Sequence, residues 1–212
     1  MTVNLEILNA AFLLAPNQVE DLNTKALVPK MVFRRRLTRA SKLVVELMDK
    51  VEFKQGRIMY GSAYGELPAT ANILNAILNK EGISPTDFQN SVYNTPVSYA
   101  SILEKNQSEI LTISCGDNTS NRLLKMGAVK ALDGDEILLV MAETMNIENI
   151  EEVNKCMDFL EIAVALKVKF TKDDPTLSFK KYEEKTPKSV EEILSYAKQF
   201  NKNNKNIIKV KL

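Results

Sequence analysis

The sequence predicts an α/β fold on a largely parallel sheet. Strand-like apolar runs alternate with segments whose apolar residues recur at helical spacing, in the order strand, helix, strand, helix, strand, helix, strand. Strands separated by helices pair most readily in parallel. The chain has 212 residues, 45% hydrophobic and 26% charged, which suits one domain with a sizeable core rather than a disordered chain.

The elements follow in order. "VNLEILNAAFLLA" reads as the first strand. After a polar loop, "RRRLTRASKLVVELMDKV" places Leu37, Ala40, Leu43, Val44, Leu47, Met48 and Val51 on one helical face. "GRIMYGSAYG" is a second strand running into a glycine turn, and "LPATANILNAILNKEG" a helix closed by Gly82. "SPTDFQNSVYNTPVSYASILEKN" reads as a turn followed by one or two short helices. "SEILTISCG" is the third strand, "NTSNRLLKMGAVKAL" a long helix and "DEILLVMAET" the fourth strand.

The end changes character. "FLEIAVALKVKF" alternates Ile162, Val164, Leu166, Val168 and Phe170 against Glu161, Ala163, Ala165, Lys167 and Lys169, the pattern of a half-exposed antiparallel strand. "TPKSVEEILSYAKQF" opens with Thr186 as N-cap and Pro187 as first helical residue, and buries Val190, Ile193, Leu194, Ala197 and Phe200. "NIIKVKL" is a last short strand. No repeat or long linker divides residues 1–212.

Net charge is +1, which gives no global attraction to nucleic acid or membrane. No apolar run reaches the length of a spanning helix, and the opening stretch lacks a basic n-region, so a cytoplasmic location is expected. Two cysteines, Cys115 and Cys156, make no disulfide framework. The most restrictive count is zero histidines. Within these residues a Cys-His nucleophile pair and a His-based zinc site are excluded, and neither cofactor nor metal is expected. Acid-base work would fall to Asp, Glu, Lys, Tyr or Cys.

Five motifs in sequence carry a resemblance. "RRRLTRASKLVVELM" is similar to the Arg-Arg-x-x-x-Arg-x-Ser opening of the early β-ketoacyl synthase helix. "YGSAYGEL" resembles the Gly-Ser-Gly-x-Gly turn, and "SPTDFQNSVYN" the Ser-Pro…Asn segment, with Ser84, Pro85 and Asn94 in place. "ISCGDNTS" falls on the nucleophile turn and "DGDEILLVMAE" on the strand after the nucleophile helix. The resemblance spans roughly residues 1–170. It implies the thiolase-like fold of the ketosynthase N-terminal half: layered α/β with a mixed five-stranded sheet, followed by a small β-α-β extension over 171–212. "CGDNT" also resembles the Ala-Gly-Glu-Asp-Thr marker of short chain-length-factor-like proteins of aryl-polyene and related polyketide-type pathways.

Anchored on Asn94 and on Gly134-Asp135, the resemblance puts Asp117, not Cys115, at the ketosynthase cysteine position. A carboxylate there is a weak nucleophile, and no histidine is present to activate a malonyl unit. Asp117 is therefore expected to act as a helix N-cap without catalysis, and Cys115, like Cys156, as a small buried core residue. Tyr64 lies where ketosynthases place a residue that sets acyl-pocket depth; the alternative is ordinary packing. Tyr64, Phe88, Asn94 and Tyr99, in that order, are the candidates for an acyl-tunnel wall or interface. Arg34, Arg35 and Arg36 could meet an acidic acyl carrier protein, although a basic triplet at a helix start is more often solvated or salt-bridged.

The resemblance implies a non-catalytic subunit that pairs with a full-length β-ketoacyl synthase across "SEILTISCG" and shapes its acyl tunnel in fatty-acid or polyketide-type biosynthesis. Two alternatives stay open. One is a free-standing acyl-thioester hydrolase or decarboxylase using Asp117 or Cys115, with Glu143 as base. The other is a homodimeric lipid-binding or scaffold protein.

Overall fold

The computed structural model describes residues 1–147 and 157–212, so Cys156 lies outside the described residues. Six strands form one sheet: β1 (Thr2–Ala15), β2 (Arg57–Gly61), β3 (Ile110–Ile113), β4 (Ile137–Thr144), β5 (Glu161–Thr171) and β6 (Ile207–Lys211), in the spatial order β3-β2-β4-β5-β1-β6. β2 pairs in parallel with both β3 and β4. β5 runs antiparallel to β4 and to β1, and β6 antiparallel to β1. The first four strands thus share one direction, as their alternation with helices predicts, but β5 is inserted between β4 and β1. The sheet is mixed rather than largely parallel.

β1 to β5 make the mixed five-stranded sheet of the first 171 residues, and the C-terminal extension adds β6 as a sixth strand beside β1, with Val3 opposite Val210. Among the described residues no helix is long and apolar enough to cross a membrane.

Helices cover both faces. On one lie α3 (Arg39–Lys50) and α6 (Thr95–Glu104), after the short α1 (Thr24–Leu27) and α2 (Met31–Arg34). Leu43, Leu47, Val97 and Ala100 pack there with Tyr60, Val140, Ala163 and Ala165 of the sheet. All seven residues of the apolar stripe expected in α3 and its flanks are buried. Thr38 caps the helix by accepting the Ser41 N–H at 3.1 Å.

On the other face lie α7 (Thr119–Lys130) and α8 (Lys188–Gln199). Leu123, Leu124, Val190 and Ile193 pack there on Met59, Leu139, Val164 and Leu166. The approach of α7 needs Gly127: a Cβ there would lie 2.4 Å from Leu139 Cδ2.

Two helix ends depart from the sequence reading. α4 (Leu67–Leu78) is not closed by Gly82. Lys80 takes the left-handed conformation at φ 58°, and the Glu81 N–H reaches Ala76 O at 2.8 Å. That 6→1 bond satisfies the last turn before Gly82 is reached. At α8 the N-cap is Pro187 rather than Thr186, one residue later than expected. β5 departs too: Glu161 to Leu166 are buried on both faces, because the strand is interior and Ala163 and Ala165 let α3 approach.

Candidate functional site

The parallel strands β2, β3 and β4 end side by side, and their C-terminal turns assemble the candidate site, as is usual for open α/β sheets. Gly61 ends β2 in tight quarters: a Cβ there would meet Met141 Cγ at 3.0 Å and Thr119 Cγ2 at 3.2 Å. Ser62 to Glu66 then turn toward α4.

Glu143, near the end of β4, organises this turn. Its side chain is fully buried and accepts three bonds: from Ser62 Oγ at 2.8 Å, from the Ala63 N–H at 2.6 Å and from the Tyr64 N–H at 3.2 Å. Ser62 Oγ also accepts the Gly65 N–H at 2.8 Å. The hydroxyl of Ser189, in the first turn of α8, faces the same carboxylate and favours its ionised form without closing to hydrogen-bond distance. Burial outweighs these donors and pushes Glu143 up to about 7.

A second acid sits close by. Glu66 is buried, accepts from the Thr38 hydroxyl and is likewise raised to about 7 by burial, against the pull of that bond. Between β2 and β4, Tyr60 is fully enclosed, with its hydroxyl 3.3 Å from Ala142 O. Burial, then the charges of Glu143 and Glu66, raise it far above the phenol range.

The turn after β3 is held differently from the expectation. Residues Gly116–Asn118 form a single 3₁₀ turn leading into α7. Thr119 staples it, accepting the Cys115 N–H at 3.1 Å and donating to Gly116 O at 2.7 Å. Asp117 makes no capping bond; its side chain is 68% exposed and lies 3.8 Å from Lys188 Nζ at the start of α8. Cys115 is exposed rather than buried, because the ladder ends at Ile113 and its backbone has left the strand. Asp117, Asn118, Asn121, Phe179, Lys188 and Glu192 line an open cleft of about 630 Å³ at this turn. The turn therefore faces the chain's C-terminal segment.

The four tunnel-wall candidates separate. Asn94 and Tyr99 come together with Val92, Thr95, Ser98 and Ile102 around a shallow pocket of about 200 Å³. Asn94 is the N-cap position of α6 and makes no side-chain capping bond. The Tyr99 hydroxyl lies 3.3 Å from Asn90 Oδ1, and its ring meets Phe33 edge-on. Phe88, on α5 (Pro85–Asn90), is 70% exposed and lies outside that pocket. Tyr64 is 37% exposed on the Glu143-held turn. Arg34 donates to Val28 O at 2.9 Å, and both Arg34 and Arg35 line a cleft of about 660 Å³ with Lys25, Arg39 and Lys42.

Sequence reasoning missed Ser62, Glu66 and Tyr93. Ser62 three residues before Gly65 is the visible trace of a side chain bonding its own turn. Tyr93 carried no sequence signal: its ring covers Gly65, and its hydroxyl donates to Ala63 O at 3.2 Å.

A family model described as "Beta-ketoacyl synthase, N-terminal domain" matches residues 10–210. Solved structures share the fold. A chain of the ketosynthase (ApeO) complex with its chain length factor (ApeC) from Xenorhabdus doucetiae matches at TM-score 0.68 and 22% identity, covering 92% of each chain. The type II polyketide synthase acyl-carrier protein–ketosynthase complex AntDE:AntF matches at 0.60 and 14% identity, over 79% of this chain and 62% of that one. The ishigamide ketosynthase/chain length factor matches at 0.57 and 10%, over 79% and 62%. No curated protein sequence matches. The six-stranded mixed sheet between two helical layers is the thiolase-like N-terminal fold, and the chain belongs to the β-ketoacyl synthase N-terminal domain family.

Proposed function

We propose that this chain is a non-catalytic, chain-length-factor-type subunit that pairs with an active β-ketoacyl synthase and forms part of the wall of its acyl tunnel. The pathway would be fatty-acid or polyketide-type, of the aryl-polyene kind, and an acyl carrier protein would meet the complex.

The observation that carries the reading is the open flank at β3. Among the described residues this strand pairs only with β2 and ends the sheet. Beyond it, Met126, Val129 and Leu132 stand exposed, as do Leu74, Ile77, Leu78, Phe88 and Ile102 on the helices between β2 and β3. An unpaired sheet edge, together with exposed apolar side chains on the elements next to it in the chain, calls for a partner. Support comes from the matched chain of the ApeO–ApeC complex, which is almost coextensive with this one.

The chemistry agrees. Asp117 occupies the place that the resemblance gives the nucleophile, and the 212 residues contain no histidine. The hydrolase alternative needs an accessible base. Glu143, the carboxylate nominated for it, is enclosed and occupied by the turn.

Co-expression with candidate ketosynthases, followed by size exclusion with mass measurement, tests the reading. The expected result is a one-to-one heterodimer burying more than roughly 2,000 Å², the scale of obligate interfaces. A stable monomer, or a homodimer that ignores every ketosynthase offered, overturns it and favours the scaffold alternative.

A further inference from the structure

All the backbone N–H groups from Ala63 to Gly65 resolve onto one side chain. Ala63 and Tyr64 bond Glu143 directly, and Gly65 does so through Ser62 Oγ. The turn is closed from above by Tyr93, whose ring lies 3.1 Å from where a Gly65 Cβ would be and whose hydroxyl bonds Ala63 O. Gly65 sits at φ +63°, a conformation that this double clamp selects and a side chain would resist. Within the clamp the Tyr64 ring remains partly exposed.

We infer that Glu143 is the positioning residue for Tyr64: its buried carboxylate, seated between the β2–α4 turn and the first turn of α8, fixes where the Tyr64 ring stands. The functional half of this inference rests on the proposed role of Tyr64 in the tunnel wall; the local half does not. A carboxylate is needed because one group must accept at both oxygens, Oε1 from Ala63 and Oε2 from Ser62 and Tyr64. Ser189, in the first turn of α8 in the C-terminal segment, is buried and its hydroxyl makes no hydrogen bond.

Amide hydrogen exchange on the full-length chain, in complex with a ketosynthase where one binds, reads the local half. Glu143→Ala should lower protection of both Ala63 and Tyr64 by about tenfold or more, as expected when charge-assisted bonds are lost. Glu143→Gln keeps one acceptor and a donor to Ser62, so it should preserve most of the Ala63 protection and lose that of Tyr64. Equal loss in the two variants, or none in either, overturns the inference. If Glu143→Ala does not fold, Ser62→Ala serves: the loss should centre on Gly65, and unchanged Gly65 protection counts against the clamp.

Product-length distributions from the reconstituted pair read the functional half. Glu143→Ala should shift them, and Glu143→Gln, which also releases the Tyr64 N–H, should shift them in the same direction by a smaller amount. Exchange effects without any product shift keep Glu143 as the positioning residue and remove Tyr64 from the tunnel wall.

Discussion

In β5, every side chain from Glu161 to Leu166 is buried between two helical layers; on the helices that precede and follow β3 in the chain, by contrast, apolar side chains stand in the open. The contrast extends to the helices. α3 and α8 bury one apolar stripe each under a charged outer face, whereas α4 is apolar yet buries only Ala69. Leu78 is 69% exposed. The β5 side is thus covered on both faces, whereas the helices next to β3 in the chain leave apolar surface in water. Apolar surface left in water forgoes about 25 cal/mol per Å² that a partner could recover. This is why the unfinished flank, more than any catalytic group, directs attention to a partner.

Four experiments break or sharpen this comparison, from the largest expected effect to the smallest. Leu139→Ala, in the two-sided core, should cost about 2–5 kcal/mol in denaturant unfolding, because it opens a cavity against Gly127. A cost below about 1 kcal/mol would mean that this side is packed no better than the other.

Arg39→Met removes the partner of buried Glu161, which Arg39 holds through two bonds at 2.6 and 2.8 Å. The expected loss is about 3 kcal/mol, the scale of stranding a buried charge. Arg39→Met with Glu161→Gln should recover part of it in the same melt.

The third experiment is a pH series. Glu143 and Glu66 are both raised above their unfolded value by burial. The folded chain then binds more protons than the unfolded chain between about pH 4.5 and 7, so stability is greatest at the acidic end of that window. It should fall by roughly 1–3 kcal/mol between pH 6 and 8, and Glu143→Gln should remove about half of that slope. A flat profile would place both groups at ordinary carboxylate behaviour.

The smallest effects belong to the open side. Leu78→Lys and Ile102→Lys should change the stability of the isolated chain by no more than about 0.5 kcal/mol, since neither leaves a core position. They should nevertheless weaken co-purification with a ketosynthase. Asp117→Asn should leave the melting curve unchanged, because its ion pair with Lys188 is exposed. A large loss from Leu78→Lys in the isolated chain would show that α4 is core after all.

Local pattern alone identified the strands and the long helices. The stripes of α3 and α8 could be read because their 3.6-residue periodicity is set by burial of one face. The motif order placed Asp117 at the turn after β3. The sequence also named Glu143 and Tyr64, but as a free base and a gate, with no link between them.

Tertiary structure decided the rest, for identifiable reasons. Periodicity states which face is buried but not by how many layers, so β5 read as half-exposed until α3 covered its alanine face. Capping preference suggested Asp117, yet the N-cap position of α7 falls on Asn118, without a side-chain bond, and Thr119 staples the turn that precedes it. Cys115 read as core because it follows an apolar strand; the strand stops at Ile113 and leaves it in solvent. Composition fixed which chemistries these residues could not perform, since no arrangement supplies a missing histidine. The bond from Glu143 to a turn some eighty residues earlier depends on β2 and β4 lying side by side, a long-range pairing that no local window contains.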